Sequence, residues 1–153
     1  MIKVSGSVLI NRPPEDVSEF VSDFENAPQW QGGVVEATKL DDGLIKAGSR
    51  FHERVRIALW RVDAICTVTE YAPAQEMTFT ATSRPMDYEA TMTFAREAGN
   101  TRLTIHGLAR MKGMWRVFEP MVGMDAKQSV KKELAALKKA LESEAPATVP
   151  ARG

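Results

Sequence analysis

The sequence has a single cysteine, few aromatic residues and no excess of charge of either sign. Cys66 alone cannot form an internal disulfide, which excludes a disulfide-stapled fold and fits a reducing compartment. Twenty basic residues balance twenty acidic ones, so no overall basic field favours nucleic acid or an anionic membrane. No apolar run approaches the ~20 residues of a membrane span, and the N-terminus shows no signal-peptide core. We therefore expect a cytoplasmic protein that neither binds nucleic acid nor inserts into a membrane.

The motifs of common catalytic and cofactor sites are also missing from the sequence. It contains no zinc-ligand spacing, no phosphate-binding glycine loop, no nucleophile elbow and no paired His/Cys cluster. Gly32-Gly33 by itself indicates only a turn. We expect neither a metal nor a cofactor.

What the chain does contain is the material for one globular domain. Of its 153 residues 44% are apolar and 26% are charged, which suits a single domain with its own core. Alternation of apolar and polar residues predicts strands at 2–10, 34–40, 50–59, 61–71, 76–82, 87–95 and 101–111. Two short helices are expected after the first strand, one starting at Pro13-Pro14 and one at 24–30. Because the connections between strands are short, the sheet should be antiparallel and meandering.

A long amphipathic helix is predicted for residues 113–144. Its apolar face recurs every three or four residues and consists of Phe118, Met121, Val122, Ala126, Val130, Leu134, Leu137 and Leu141. About 28 residues at 1.5 Å each span roughly 42 Å, enough to cross the sheet. Asp125 and Ser129 fall on the same side as the first half of this face. Either that half covers a cavity, where polar groups meet water or a ligand, or both residues lie at a splayed edge in solvent.

The expected fold follows from one sheet and one long helix. A twisted antiparallel sheet that buries its apolar face against a single helix curls around that helix. We therefore predict one α+β domain at residues 1–144, with a curved antiparallel sheet of about seven strands wrapped around the C-terminal helix. Residues 145–153 contain two prolines and no core residues, and we expect a disordered tail there.

Several local strings resemble the START/birch-pollen-allergen superfamily, above all its bacterial polyketide cyclase/dehydratase and lipid-transport branch (SRPBCC domains). The strings are Ile10–Val17, Phe20–Trp30, Val68–Pro73, Tyr88–Phe94 and Gly99–Thr104, followed by the terminal amphipathic helix. The resemblance covers residues 2–143 and implies a helix-grip fold around a hydrophobic cavity. Members of this superfamily include ligand carriers, cyclases, aromatase-like enzymes and stress-related proteins, so the fold alone does not select a function.

The candidate ligand-binding residues are those that the strand and helix phases turn towards such a cavity or its opening. They are Trp30, Glu53, Val55, Ile57, Tyr88, Met92, Ile105, Phe118, Met121, Val122, Asp125 and Ser129, with Glu53, Tyr88, Asp125 and Ser129 as the polar lining. The same phases place His52 and His106 on the opposite face of the sheet. No inward histidine is therefore available for acid–base chemistry, and we assign no catalytic residue.

The sequence thus predicts a helix-grip protein, monomeric or homodimeric, that binds a small hydrophobic or aromatic molecule such as a lipid or a polyketide. We expect a binding protein rather than an enzyme. One alternative is a polyketide cyclase or dehydratase in which Tyr88, Glu53 or His106 polarises a carbonyl group or moves a proton; the lack of an inward His/Asp pair argues against it. Another is a co-chaperone-like or toxin-like interaction module, for which the balanced charge gives no support.

Overall fold

A computed structural model describes the backbone of residues 1–57 and 59–152 and the side chains of residues 1–56 and 59–143. The strands are β1 Ile2–Ile10, β2 Val34–Lys39, β3 Arg50–Ile57, β4 Trp60–Ala72, β5 Glu76–Ser83, β6 Met86–Glu97 and β7 Asn100–Met111. The α-helices are α1 Pro14–Ser22 and α2 Glu119–Arg152, and short 3-10 helices occupy Phe24–Gln29 and Gly113–Phe118.

The seven strands form one antiparallel sheet in the order β1-β7-β6-β5-β4-β3-β2. From β2 to β7 the chain meanders between neighbours, and β1 then pairs with β7. The first two strands therefore lie at opposite edges, and α1 with the first 3-10 helix carries the chain between them. The predicted α+β fold, a curved antiparallel sheet around a C-terminal helix, is confirmed.

Buried contacts of Arg12 fix the start of α1. Its guanidinium donates to the carbonyl oxygen of Leu141 at 2.6 Å and to Asp16 at 2.7 Å, while its own carbonyl accepts from Thr101 at 2.7 Å. Pro14 stands at the first helical position, where its missing N–H costs nothing. These contacts join the start of α1 to the end of α2 and to β7.

The second half of α2 closes the core, as its leucine-rich face predicts. Val130, Leu134, Leu137 and Leu141 are all buried. The helix comes close to β1 because Gly6 has no side chain: a Cβ there would lie 2.8 Å from Cδ1 of Leu134. Among the described residues, no helix has the length and apolar character needed to cross a membrane.

The long helix begins later than predicted. Residues 113–118 form a separate 3-10 turn, with Gly113 at a positive φ of 54°, and α2 starts at Glu119. Pro120 explains the break, because proline suits the first turn of an α-helix and cannot donate within one. The structure continues α2 through residues 145–152, where a disordered tail is predicted. The side chains from Glu144 onwards and Gly153 lie outside the described residues, and the tail stays a prediction.

Candidate functional site

A cavity of about 220 Å³ lies between the inner face of the sheet and α2. Every strand contributes to its lining, and most lining side chains are apolar. The polar lining residues are Gln31, Glu53, Ser83, Tyr88, Ser129 and Glu133. Among the described residues that line the cavity, none is lysine, arginine or histidine.

Small side chains on three strands create this space. Strand pairing sets Ala81 opposite Tyr88 and Tyr88 opposite Ala109, and it sets Ala64 opposite Ser83. All five residues line the cavity. Elsewhere on the inner face, phenylalanine, methionine and leucine side chains are fully buried and fill the core. The cavity therefore lies where alanine replaces large side chains.

The ring of Tyr88 packs closely against β7 at Gly107. A Cβ on Gly107 would fall 2.8 Å from Cε1 of Tyr88 and 2.9 Å from its Cζ, so only glycine leaves room for the ring. The ring also meets Phe79 edge-on, with centroids 6.0 Å apart. Burial, and to a lesser degree the charge of Glu133, raises the pKa of Tyr88 to about 12. Tyr88 therefore presents a protonated hydroxyl at neutral pH.

Glu53 is the most buried charged residue of the lining. It lies on β3 in phase with Phe51 and is 5% exposed. Its Oε2 atom has no hydrogen-bond partner among the described residues. Burial raises the pKa of Glu53, opposed by a hydrogen bond with the buried thiol of Cys66 and by the nearby His52. A buried carboxylate oxygen without a donor is unusual in a folded protein.

Glu133 faces the cavity from the opposite wall, on α2. Burial, reinforced by the charge of Asp125, raises its pKa to about 7. Glu133 also acts electrostatically on Tyr88. The helix wall therefore carries a carboxyl group that exchanges its proton near neutral pH, close to the tyrosine hydroxyl.

The structure brings together five of the predicted ligand-binding residues. Glu53, Val55, Tyr88, Val122 and Ser129 all line the cavity. Whether they contact a ligand stays a prediction.

Six of the other predicted ligand-binding residues lie outside the lining, and the side chain of Ile57 is outside the described residues. Trp30, Met92 and Ile105 are buried in the packed core. Met121 is half-exposed and Asp125 is exposed to solvent. Phe118 packs on Trp60 and Trp115, with ring centroids 5.1 and 6.1 Å away. Each of the two alternatives therefore holds for one residue: Asp125 lies at an edge in solvent, and Ser129 lines the cavity.

Sequence reasoning missed Glu133 and Gly107. Glu133 follows Ser129 by four residues, so extending the polar side of the helix by one turn would have found it. A glycine inside a strand signals close approach of another group, which here is the Tyr88 ring.

Both histidines lie away from the cavity, as predicted. His106 is exposed on the outer face of the sheet, and His52 contacts Asp63 at 3.2 Å. Of the groups considered for carbonyl or proton chemistry, only Tyr88 and Glu53 line the cavity. No cluster of metal-ligating side chains occurs within the described part of the chain.

Residues 1–142 match the family described as "Polyketide cyclase / dehydrase and lipid transport". Among curated proteins, no sequence matches the chain significantly.

Several solved structures share the fold. A START superfamily protein from Mycobacterium smegmatis is 21% identical, with a TM-score of 0.79 over 94% of this chain and 99% of its own. The Zhui aromatase/cyclase from Streptomyces sp. R1128 is 14% identical, with a TM-score of 0.75 over 93% and 94%. Ara h 8.0201 is 12% identical, with a TM-score of 0.68 over 92% and 97%. At these identities the likeness concerns the fold alone.

Proposed function

Since the chain belongs to the polyketide cyclase/dehydrase and lipid transport family, we propose that it binds a small, largely apolar or aromatic molecule in the cavity between the sheet and α2. The observation that carries this proposal is the lining: apolar side chains from seven strands and one helix, with a few converging polar groups. Ligand sites commonly have this composition, in which apolar area supplies affinity and polar groups fix orientation.

The cavity volume sets the size of the ligand. An apolar cavity of about 150 Å³ is large enough for benzene, so about 220 Å³ suits two fused rings or a short branched chain. Burying about 200 Å² of apolar ligand surface contributes about 5 kcal/mol. A ligand of this kind should bind with a Kd below about 1 mM before any polar contact is counted.

Filling the cavity from the helix tests the proposal. Ala126 lines the cavity, whereas Ala135 on the same helix is exposed. We expect 1-methylnaphthalene to raise the melting temperature of the wild type and of Ala135→Leu, but not of Ala126→Leu. Binding that survives Ala126→Leu unchanged would place the ligand elsewhere, and no stabilisation by any of a panel of fused-ring and short-chain compounds would remove the proposal.

A second candidate, cyclisation or dehydration of a poly-β-keto chain, is favoured by one observation. Tyr88, a protonated donor, shares the cavity with Glu133, whose pKa of about 7 suits proton transfer at neutral pH. Turnover of an aromatic polyketide precursor should then fall in both Tyr88→Phe and Glu133→Gln. Product ratios equal to those of the uncatalysed reaction would exclude this candidate.

A further inference from the structure

We propose that the polar end of the ligand is a protonated amine, bound by the acidic lining of the cavity, to which Glu53 on the sheet and Glu133 on α2 both contribute. This inference rests on the proposed function and narrows its ligand class from apolar molecules in general to apolar amines. It separates this cavity from one that would hold a fatty acid or another anionic lipid.

The first reason is the unpartnered oxygen of Glu53. The residue is 5% exposed, and Oε2 lacks a donor among the described residues. A buried carboxylate is stable only when donors surround it. The thiol of Cys66 is one, but a weak one. Oε2 is itself buried, and Glu53 is one of the residues that line the cavity, so a molecule bound there is the available source of a donor.

The second reason is the sign of the charges around the cavity. Glu53 and Glu133 both line it, Asp125 adds negative charge near Glu133, and no described lining residue is basic. The nearest positive influence on Glu53 comes from His52, which is bound to Asp63 at 3.2 Å. A carboxylate or phosphate headgroup would therefore meet like charges and no basic residue of the described lining, whereas an ammonium group would neutralise those charges.

The third reason is that two neutral polar groups of the lining, Ser83 and Tyr88, have other contacts and do not serve as the missing donor to Glu53. The hydroxyl of Ser83 already donates to the carbonyl of Met86 at 2.7 Å. Tyr88 is held against Gly107 and is close enough to Glu133 to sense its charge. An ammonium group has three donors, so it could bond to more than one of the carboxyl, phenol and hydroxyl oxygens of the lining.

Four ligands with one naphthalene skeleton test the inference: 1-naphthylmethylamine, 1-naphthalenemethanol, 1-methylnaphthalene and 1-naphthoate. Calorimetric titration at pH 7.5 should show the amine binding about ten- to hundredfold more tightly than 1-methylnaphthalene, as expected for a charge-assisted hydrogen bond. Naphthoate should bind more weakly than the uncharged compounds.

Variants of the two carboxyl groups locate the effect. Glu53→Gln and Glu133→Gln should each weaken amine binding at least about tenfold and leave methylnaphthalene binding within about twofold. Glu89→Gln is the matched control, because Glu89 follows Tyr88 on β6 but is exposed on the outer face; it should change neither affinity.

The outcomes separate this inference from the function on which it rests. If methylnaphthalene binds but the amine is no tighter, or if the amine advantage persists in both glutamine variants, the inference is wrong and the apolar cavity site stands. If none of the four compounds binds, both are wrong.

Discussion

Replacing Glu53 by methionine is expected to raise the free energy of unfolding of the ligand-free protein. The carboxyl group is 5% exposed and leaves Oε2 without a partner. Methionine has a similar length and no branching, so it fills the same volume without a buried charge. A gain in stability would fit the proposed role of Glu53 in binding rather than in folding.

The magnitude follows from the unpaired oxygen. An unsatisfied buried polar group costs about 1–3 kcal/mol, and the hydrogen bond with Cys66 that would be lost is weak. For a chain of this length, 1 kcal/mol corresponds to about 2–4 °C in melting temperature. We therefore expect Glu53→Met to melt roughly 2–10 °C above the wild type at pH 7.

The pH dependence gives this prediction a second readout. Burial raises the pKa of Glu53, so its carboxyl group penalises folding once the pH exceeds the unfolded-state value of about 4.3. The advantage of Glu53→Met should be smallest near pH 4 and grow as the pH rises. Glu89→Met, on the exposed outer face, should stay within about 0.5 kcal/mol of the wild type. A Glu53→Met protein that unfolds more easily than the wild type would show that the fold needs the carboxyl group, and the reasoning would fail.

Three further perturbations test the site and the packing around it. The pKa of Glu133 rises from 4.5 to about 7; between these values the native state keeps a proton that the unfolded state has lost, so the free energy of unfolding falls with rising pH, by at most about 3 kcal/mol. Urea titrations at pH 5 and 8 should show a smaller fall in Glu133→Gln than in the wild type, because Glu53 contributes to the fall in both proteins. An equal fall in the two proteins would contradict the prediction. Gly6→Ala places a Cβ 2.8 Å from Cδ1 of Leu134 and should lower the free energy of unfolding by about 1–3 kcal/mol. An unchanged free energy of unfolding in chemical denaturation would mean that α2 does not pack closely on β1 at this position. Leu137→Ala should lower the free energy of unfolding by about 2–5 kcal/mol. Met121 is half-exposed, so Met121→Ala should change it by no more than about 0.5 kcal/mol. A larger loss in Met121→Ala than in Leu137→Ala would mean that another face of α2 packs on the core.

The sequence predicted the sheet well because strand alternation reports burial directly. In β1 the apolar residues of the alternating pattern face the core. The same alternation predicts that Glu53, between Phe51 and Val55 on one face of its strand, points inward, and the residue is buried. Alternation identifies the inner face of the sheet, but it does not show which part of that face borders a cavity. Met92 and Ile105 have the inward phase, yet they lie in the packed part of the core, because the position of the cavity depends on which alanines the strand register brings together.

Helical drift explains why some of the predicted ligand-binding residues of α2 lie outside the cavity lining. Each step of four residues turns the side chain by about 40° at 100° per residue. Asp125 and Glu133 are two such steps apart, so the polar line that begins in solvent at Asp125 reaches the cavity at Ser129 and Glu133. Periodicity alone cannot tell which of these positions faces the sheet, because that depends on how the helix lies across it.

The most direct test of a ligand cavity beneath α2 is a methyl NMR titration of the protein with 1-methylnaphthalene. The largest shifts are expected at Val122, Ala126 and Val130 on the helix and at Ala81 on the sheet, all of which line the cavity. Shifts confined to exposed methyl groups such as those of Leu108, on the outer face, would contradict the account.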